Sequence, residues 1–212
     1  MASGEGLSLQ FSDGRVVPGT LHAINDELRP IGAGVWPLDL RDRPADIRAL
    51  LAQPQLEAAE AERVTVHFLF PRRRLLQILA RAGRAPAVAG GGALATFVAN
   101  QGHNYPALHQ VQEGVDYTRF DRFHVNAGTD GSGIDEVFQM LSGAGFVIHQ
   151  RLDGAETLTL RLGCPDERWG WLGTYSGARP HIGSLSSATL GSKLLVQAFG
   201  ASEWTLSYTD EP

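Results

Sequence analysis

From Ala93 onward the chain is a succession of short runs with alternating apolar and polar residues, separated by turns bearing Gly, Asp and Ser. The runs fall at 93–99, 120–126, 135–141, 145–151, 157–162, 168–174, 193–199 and 203–208. A period of two sends successive side chains to opposite faces of a strand. Leu158, Leu160 and Leu162 alternate with Thr157, Thr159 and Arg161, which describes a half-buried strand. Many short strands joined by tight turns predict an antiparallel β-barrel or sandwich.

Within this region the stretch 121–152 is the most structured in its pattern. Arg122, His124 and Asn126 share one strand face, with Phe123 and Val125 on the other. The loop 127–133 carries three glycines and breaks both strand and helix. Glu136 lies near the start of the next strand, which ends at the Ser142-Gly143 turn, and 146–150 forms the strand after it.

This pattern resembles the first motif of the cupin superfamily: a His-x-His pair, a glutamate a few residues on, and a glycine after six more. Six residues separate Glu136 from Gly143, and His124 stands at the first histidine position. Asn126 occupies the second, and the loop before Glu136 is longer than the motif has it. Ser176-Gly-Ala-Arg-Pro-His181 is similar to the second motif, a turn with glycine and proline that delivers a further histidine. The resemblance covers the C-terminal half. It implies a mainly β fold: a cupin-like antiparallel β-barrel (double-stranded β-helix) over 93–212, with an α/β N-terminal extension, 1–92, packing on it. The turn at 84–92 is the candidate boundary.

The resemblance also implies a site. His124, Glu136 and His181 would be ligands of a divalent transition metal, since two imidazoles and a carboxylate form a facial triad with open positions. Asn126 would add an oxygen ligand or a supporting hydrogen bond. Tyr175 and Arg179, or Arg122, would hold a carboxylate or enolate of the substrate. The implied function is a metal-dependent cupin-type enzyme acting on a small organic molecule by oxygenase, isomerase or lyase chemistry. Two alternatives stay open: a non-catalytic small-molecule-binding cupin, and a metal-free cyclase or epimerase using His124 or His103 as a general base. In a metal-free protein, His124 is a hydrogen-bonded core histidine and Glu136 pairs with an arginine such as Arg122. A homodimer through exposed sheet edges is implied by the resemblance alone.

Composition narrows the remaining classes. With 212 residues, 43% hydrophobic and 19% charged, the chain has an ordinary globular make-up. The net charge of −5 and the lack of a basic stripe argue against nucleic acid or anionic lipid as partner. The one cysteine, Cys164, rules out an intrachain disulfide. No basic segment followed by an apolar core opens the sequence, and no apolar run approaches spanning length, so a cytoplasmic protein is expected.

The N-terminal part reads differently. Residues 7–11 alternate as a strand, and 15–40, with Pro18, Pro30 and Pro37, reads as an irregular covering segment. Residues 44–52 predict a helix with Ile47, Leu50 and Leu51 on one face, and 55–63 a second. Residues 64–70 (VTVHFLF) alternate and predict a strand. A helix from Pro71 to Ala82 follows, with Leu75, Ile78, Leu79 and Ala82 as its apolar stripe. The remaining chemistry-bearing residues give weaker signals. His103 and His109 form a second cluster without a recognised ligand spacing, and His149 reads as a partly exposed strand residue. Cys164 has no histidine adjacent in sequence, so nucleophilic chemistry is poorly supported. Trp169, Trp171, Tyr175 and Phe138 would line a pocket or form core.

Overall fold

The computed structural model describes residues 6–88, 93–99, 103–107, 122–129, 131–185, 191–200 and 204–209. The chain opens with β1 (Leu7–Phe11), β2 (Val16–Val17), α1 (Leu21–Leu28), a short 3-10 turn (Arg29–Ile31) and β3 (Gly34–Asp39). Three helices follow: α2 (Ala45–Ala52), α3 (Ala58–Phe68) and α4 (Arg72–Arg81). The described elements after them are strands: β4 (Ala93–Ala99), β5 (His103–Ala107), β6 (His124–Gly128), β7 (Ile134–Ser142), β8 (Ala144–Arg151), β9 (Thr157–Gly163), β10 (Trp169–Ser176), β11 (His181–Leu185), β12 (Lys193–Gly200) and β13 (Trp204–Tyr208).

The strands build two antiparallel sheets, ordered β13-β6-β11-β8-β9-β1-β2 and β3-β10-β7-β12-β4-β5. Among the described residues no strand pairing joins one sheet to the other, so of the two expected forms, barrel and sandwich, they show a two-sheet sandwich and no closed barrel. Leu7, Leu9, Phe11, Phe146, Ile148, Leu158, Leu160 and Leu162 of the first sheet meet Phe138, Met140, Trp171, Tyr175 and Leu194 of the second in one core. The other face of the second sheet carries Val137, Leu141, Leu172, Leu195 and Phe199. These pack against Ile47, Leu50, Leu51, Val64, Phe68, Leu75, Ile78 and Leu79 of the helices. The layers are therefore helices, six-stranded sheet, seven-stranded sheet. Buried on both sides, β7 is closed to solvent along nearly its whole length. Its even-numbered side chains, Glu136 among them, face the space between the sheets.

Residues before β4 contribute to both sheets. β1 pairs with β9 and with β2, and β3 pairs with β10. The segment 15–40 is thus regular, correcting the expectation of an irregular cover. Thr20 caps α1 by accepting from the Ala23 amide at 3.3 Å. The Asn25 side chain fastens that helix to β3 through both the amide and the carbonyl of Val35. Pro37 is compatible with a strand because β3 is an edge.

A second correction concerns 64–70, which is not a strand: α3 runs through Phe68. The buried positions are Ala61, Val64, Thr65 and Phe68, at helical spacing, while Val66 is 54% exposed. A capping box formed by Glu57 and Glu60 starts the helix. The other helix expectations match α2 and α4 closely. The β7–β8 hairpin turns at Gly143, where φ is 74° and an added Cβ would lie 2.3 Å from Ser192 Oγ, so glycine is required there.

Among the described residues no helix is long and apolar enough to cross a membrane.

Candidate metal and acid–base centre

Strand pairing brings the motif residues together. His181, the first residue of β11, lies opposite His124 of β6, and Tyr175 of β10 lies opposite Glu136 of β7. Residues directly opposite in a ladder share a face. The two sheets therefore present two histidines from one side and a glutamate and a tyrosine from the other. The imidazole centroids are 4.3 Å apart, and all four side chains are buried.

Glu136 is the centre of the cluster. Its Oε1 accepts from Asn126 Nδ2 at 2.7 Å and lies 3.3 Å from His181 Nε2. Its Oε2 accepts from the Tyr175 hydroxyl at 2.8 Å. A carboxylate in this setting would be costly without such partners. Burial pushes Glu136 up, but the attraction and hydrogen bond of His181, with His124 and Tyr175 assisting, outweigh it and hold the carboxyl at about 2. Burial likewise opposes a charged His181, yet Glu136 raises it above its ordinary value. His124 is lowered, first by burial and then by the charge of His181. Tyr175 stays a phenol, pushed well up by burial and by Glu136.

Both imidazoles are oriented alike. His124 Nδ1 is 2.8 Å from the Arg122 carbonyl, and His181 Nδ1 is 2.8 Å from the Arg179 carbonyl. A carbonyl only accepts, so each Nδ1 carries the proton and each Nε2 is the electron-pair donor of the neutral ring. Metal-ligating histidines are held in this way. Asn126 Oδ1 is buried without a hydrogen-bond partner beside them. Its amide cannot simply be reversed, because that would set Oδ1 against the Glu136 carboxylate. Two imidazole nitrogens, a carboxylate and an amide oxygen are a donor set that fits a divalent transition ion. Among the described residues, however, no group of three or more His, Cys, Asp or Glu side chains is arranged to hold an ion. In the arrangement present, His181 Nε2 faces Glu136 Oε1, and that carboxylate favours the protonated ring.

The backbone around the cluster is specialised. The Gly177 amide donates to the Ile134 carbonyl, and the Gly177 carbonyl accepts from the Asn126 amide, each at 2.7 Å. A Cβ on Gly177 would come within 2.8 Å of Glu136 Oε1. Sequence reasoning placed Gly177 in the turn before His181 without assigning it this contact. It did not single out Gln150, which lies opposite His181 on β8, is 1% exposed, and leaves its Nε2 unbonded.

The other sequence candidates lie elsewhere. Arg179 contributes its carbonyl to His181, while its guanidinium turns outward to the Arg151 carbonyl and Asp153. Arg122 stacks over the Tyr208 ring, so the arginine–Glu136 pair considered for a metal-free protein is replaced by a histidine–Glu136 pair. His149 is half-buried and bonds Thr159 Oγ1. Burial pushes the Cys164 thiol up to about 12, which makes it a poor nucleophile. Trp171 and Phe138 are core, and Trp169 packs beneath Arg41. His103 opens β5, but its side chain and the whole of His109 lie outside the described residues.

The arrangement of two antiparallel sheets recurs in a protein of known structure. A solved structure with the same fold is an acireductone dioxygenase from Bacillus anthracis with a cadmium ion in its active center. The match covers 98% of this chain and 100% of that one, at 14% identity and a TM-score of 0.57. No family model and no curated protein matches the sequence.

Proposed function

We propose that the protein is a metal-dependent cupin-type enzyme that transforms a small organic molecule at the His124–Glu136–His181 centre. The observation that carries this reading is the pair of Nδ1–H to carbonyl bonds, which commits both imidazoles to Nε2 donation beside a fully buried carboxylate. His124, His181 and Glu136 would hold the ion, with Asn126 Oδ1 as a weaker oxygen donor. The bound ion would supply Lewis-acid polarisation of a substrate oxygen and open coordination positions. Tyr175 fixes the second carboxylate oxygen of Glu136 and, as a phenol, keeps a proton at that atom. The surrounding core excludes water and strengthens every charge interaction in the centre.

Metal titration of purified, chelator-stripped protein tests the proposal. One ion per chain is expected, with binding abolished in His124→Ala and His181→Ala and weakened by about 10–100-fold in Asn126→Ala. Failure of every first-row divalent metal to bind would refute it.

One observation favours a second reading, a metal-free isomerase or cyclase. Glu136 already has three polar partners, and the His181–Glu136 pair resembles a poised proton donor and acceptor. Turnover that survives complete metal removal would select this reading.

A further inference from the structure

The turn between β10 and β11 has two sides. Gly177 and the Arg179 carbonyl face the histidine–glutamate centre. Its other side forms a wall of an open cleft of about 480 Å³, together with Ile31, Arg84, Arg151, Leu152 and Asp153. Three arginines around one small cleft are an unusual concentration of positive charge in a chain of net charge −5.

Arg84 is the built part of this cleft. Its side chain is only 15% exposed, and its Nη2 donates to Thr174 Oγ1 at 2.9 Å and the Tyr175 carbonyl at 3.0 Å, and pairs with Asp135 at 3.2 Å. Its Nε and Nη1 are buried and make no hydrogen bond. Asp135 is itself shared, since its other oxygen accepts from the Ala87 amide at 2.7 Å. Asp135 and, at longer range, Glu136 offset a largely buried guanidinium whose other two nitrogens lack a hydrogen bond, so the positive charge of the cleft comes chiefly from Arg151 and Arg179. At the rim, Arg179 reaches Asp153 at 3.4 Å, and Asp153 is fully exposed. An exposed pair of this kind contributes little and yields readily to a better ligand. Ile31, Leu152, Ala178 and Pro180 supply apolar wall between the charges.

We infer that this cleft binds the oxyanion group, a carboxylate or a phosphate, of a small molecule. The planar fork of Arg179 suits such groups, which accept two parallel N–H bonds, while Arg84 adds charge from beneath. The β10–β11 turn links the two places, because the residue that grips the anion, Arg179, also holds His181 Nδ1 through its carbonyl.

Calorimetric titration at low ionic strength, with inorganic phosphate in one arm and succinate in the other, reads the cleft directly. Saturable binding of one anion per chain is expected in at least one arm, and the arm that binds identifies the group. Arg179→Gln should weaken it about tenfold or more, the scale of losing a bidentate charged contact. Arg63→Gln, on the surface of α3 and paired with Asp46, should leave it unchanged. Metal stoichiometry measured on the same Arg179→Gln sample separates the two proposals: loss of anion affinity with metal content retained supports the cleft whatever the centre does. Absence of saturable binding in both arms, or equal affinity in wild type and Arg179→Gln, overturns the inference.

Discussion

Removing the Tyr175 hydroxyl tests whether Glu136 is a buried, charged carboxylate. In Tyr175→Phe the ring remains against His181 and Phe138, at centroid distances of 4.9 and 6.2 Å, so no cavity opens. What is lost is the 2.8 Å bond to Glu136 Oε2 between two residues that are 3% and 5% exposed. A hydrogen bond to a charged group contributes about 1.5–3 kcal/mol, and its loss here leaves a carboxylate oxygen without that donor. A fall of about 1.5–3 kcal/mol at pH 7 follows, or about 3–12 °C in Tm for a chain of this size. Urea unfolding without added metal, with an unchanged m-value, is the assay. The pH dependence has a defined sign. Glu136 is held below its ordinary value of 4.5, so its contribution is complete above that pH and lost as the pH falls toward about 2. The gap between wild type and variant should therefore close over that interval. A change within about ±0.5 kcal/mol at pH 7, or a gap that does not depend on pH, would refute the reasoning.

Further outcomes follow from the packing. Leu79 of α4 is 0% exposed, so Leu79→Ala should lower stability by about 2–5 kcal/mol in the same urea assay. Lys193 is fully buried, with Nζ donating to the carbonyls of Leu51, Gln53 and Gly191, and burial lowers it from 10.5 to about 8. A lowered amine favours folding above its ordinary value and loses that contribution as the pH falls through about 8. Stability of the wild type relative to Lys193→Met should therefore rise between pH 8 and 10.5, by on the order of 3 kcal/mol. A flat difference across that window would contradict a buried ammonium.

Much of the fold was legible because its strands obey simple alternation. β7, β8, β9, β10 and β12 fall where the pattern places them, and the motif spacing places Glu136 and Gly143 correctly. The failure at 64–70 has a clear cause. A run whose apolar residues alternate over 64–70 also contains a helical stripe, and packing against the six-stranded sheet chose the helix. The Glu57–Glu60 capping box was the available signal. The segment 15–40 was misread because its prolines sit at positions that regular structure tolerates: an edge strand for Pro37 and the first turn of a short helix for Pro30. At the site, the structure brings together His124, Glu136, His181 and Asn126, the residues the motifs select. The distribution of hydrogen bonds was not legible. Tyr175 bonding Glu136, Arg179 turning away, and Gln150 and Gly177 flanking the centre all depend on strand register across two sheets. Register is set by non-local pairing that local sequence does not encode.

The central claim is that His124, Glu136 and His181 converge on one ion. Anomalous diffraction from crystals equilibrated with zinc tests it most directly. A single strong peak is predicted at about 2.0–2.2 Å from Nε2 of both histidines and from a Glu136 oxygen, with the Nδ1 bonds to the Arg122 and Arg179 carbonyls preserved. No peak at the centre at saturating zinc, with His181 still paired to Glu136, would contradict the account.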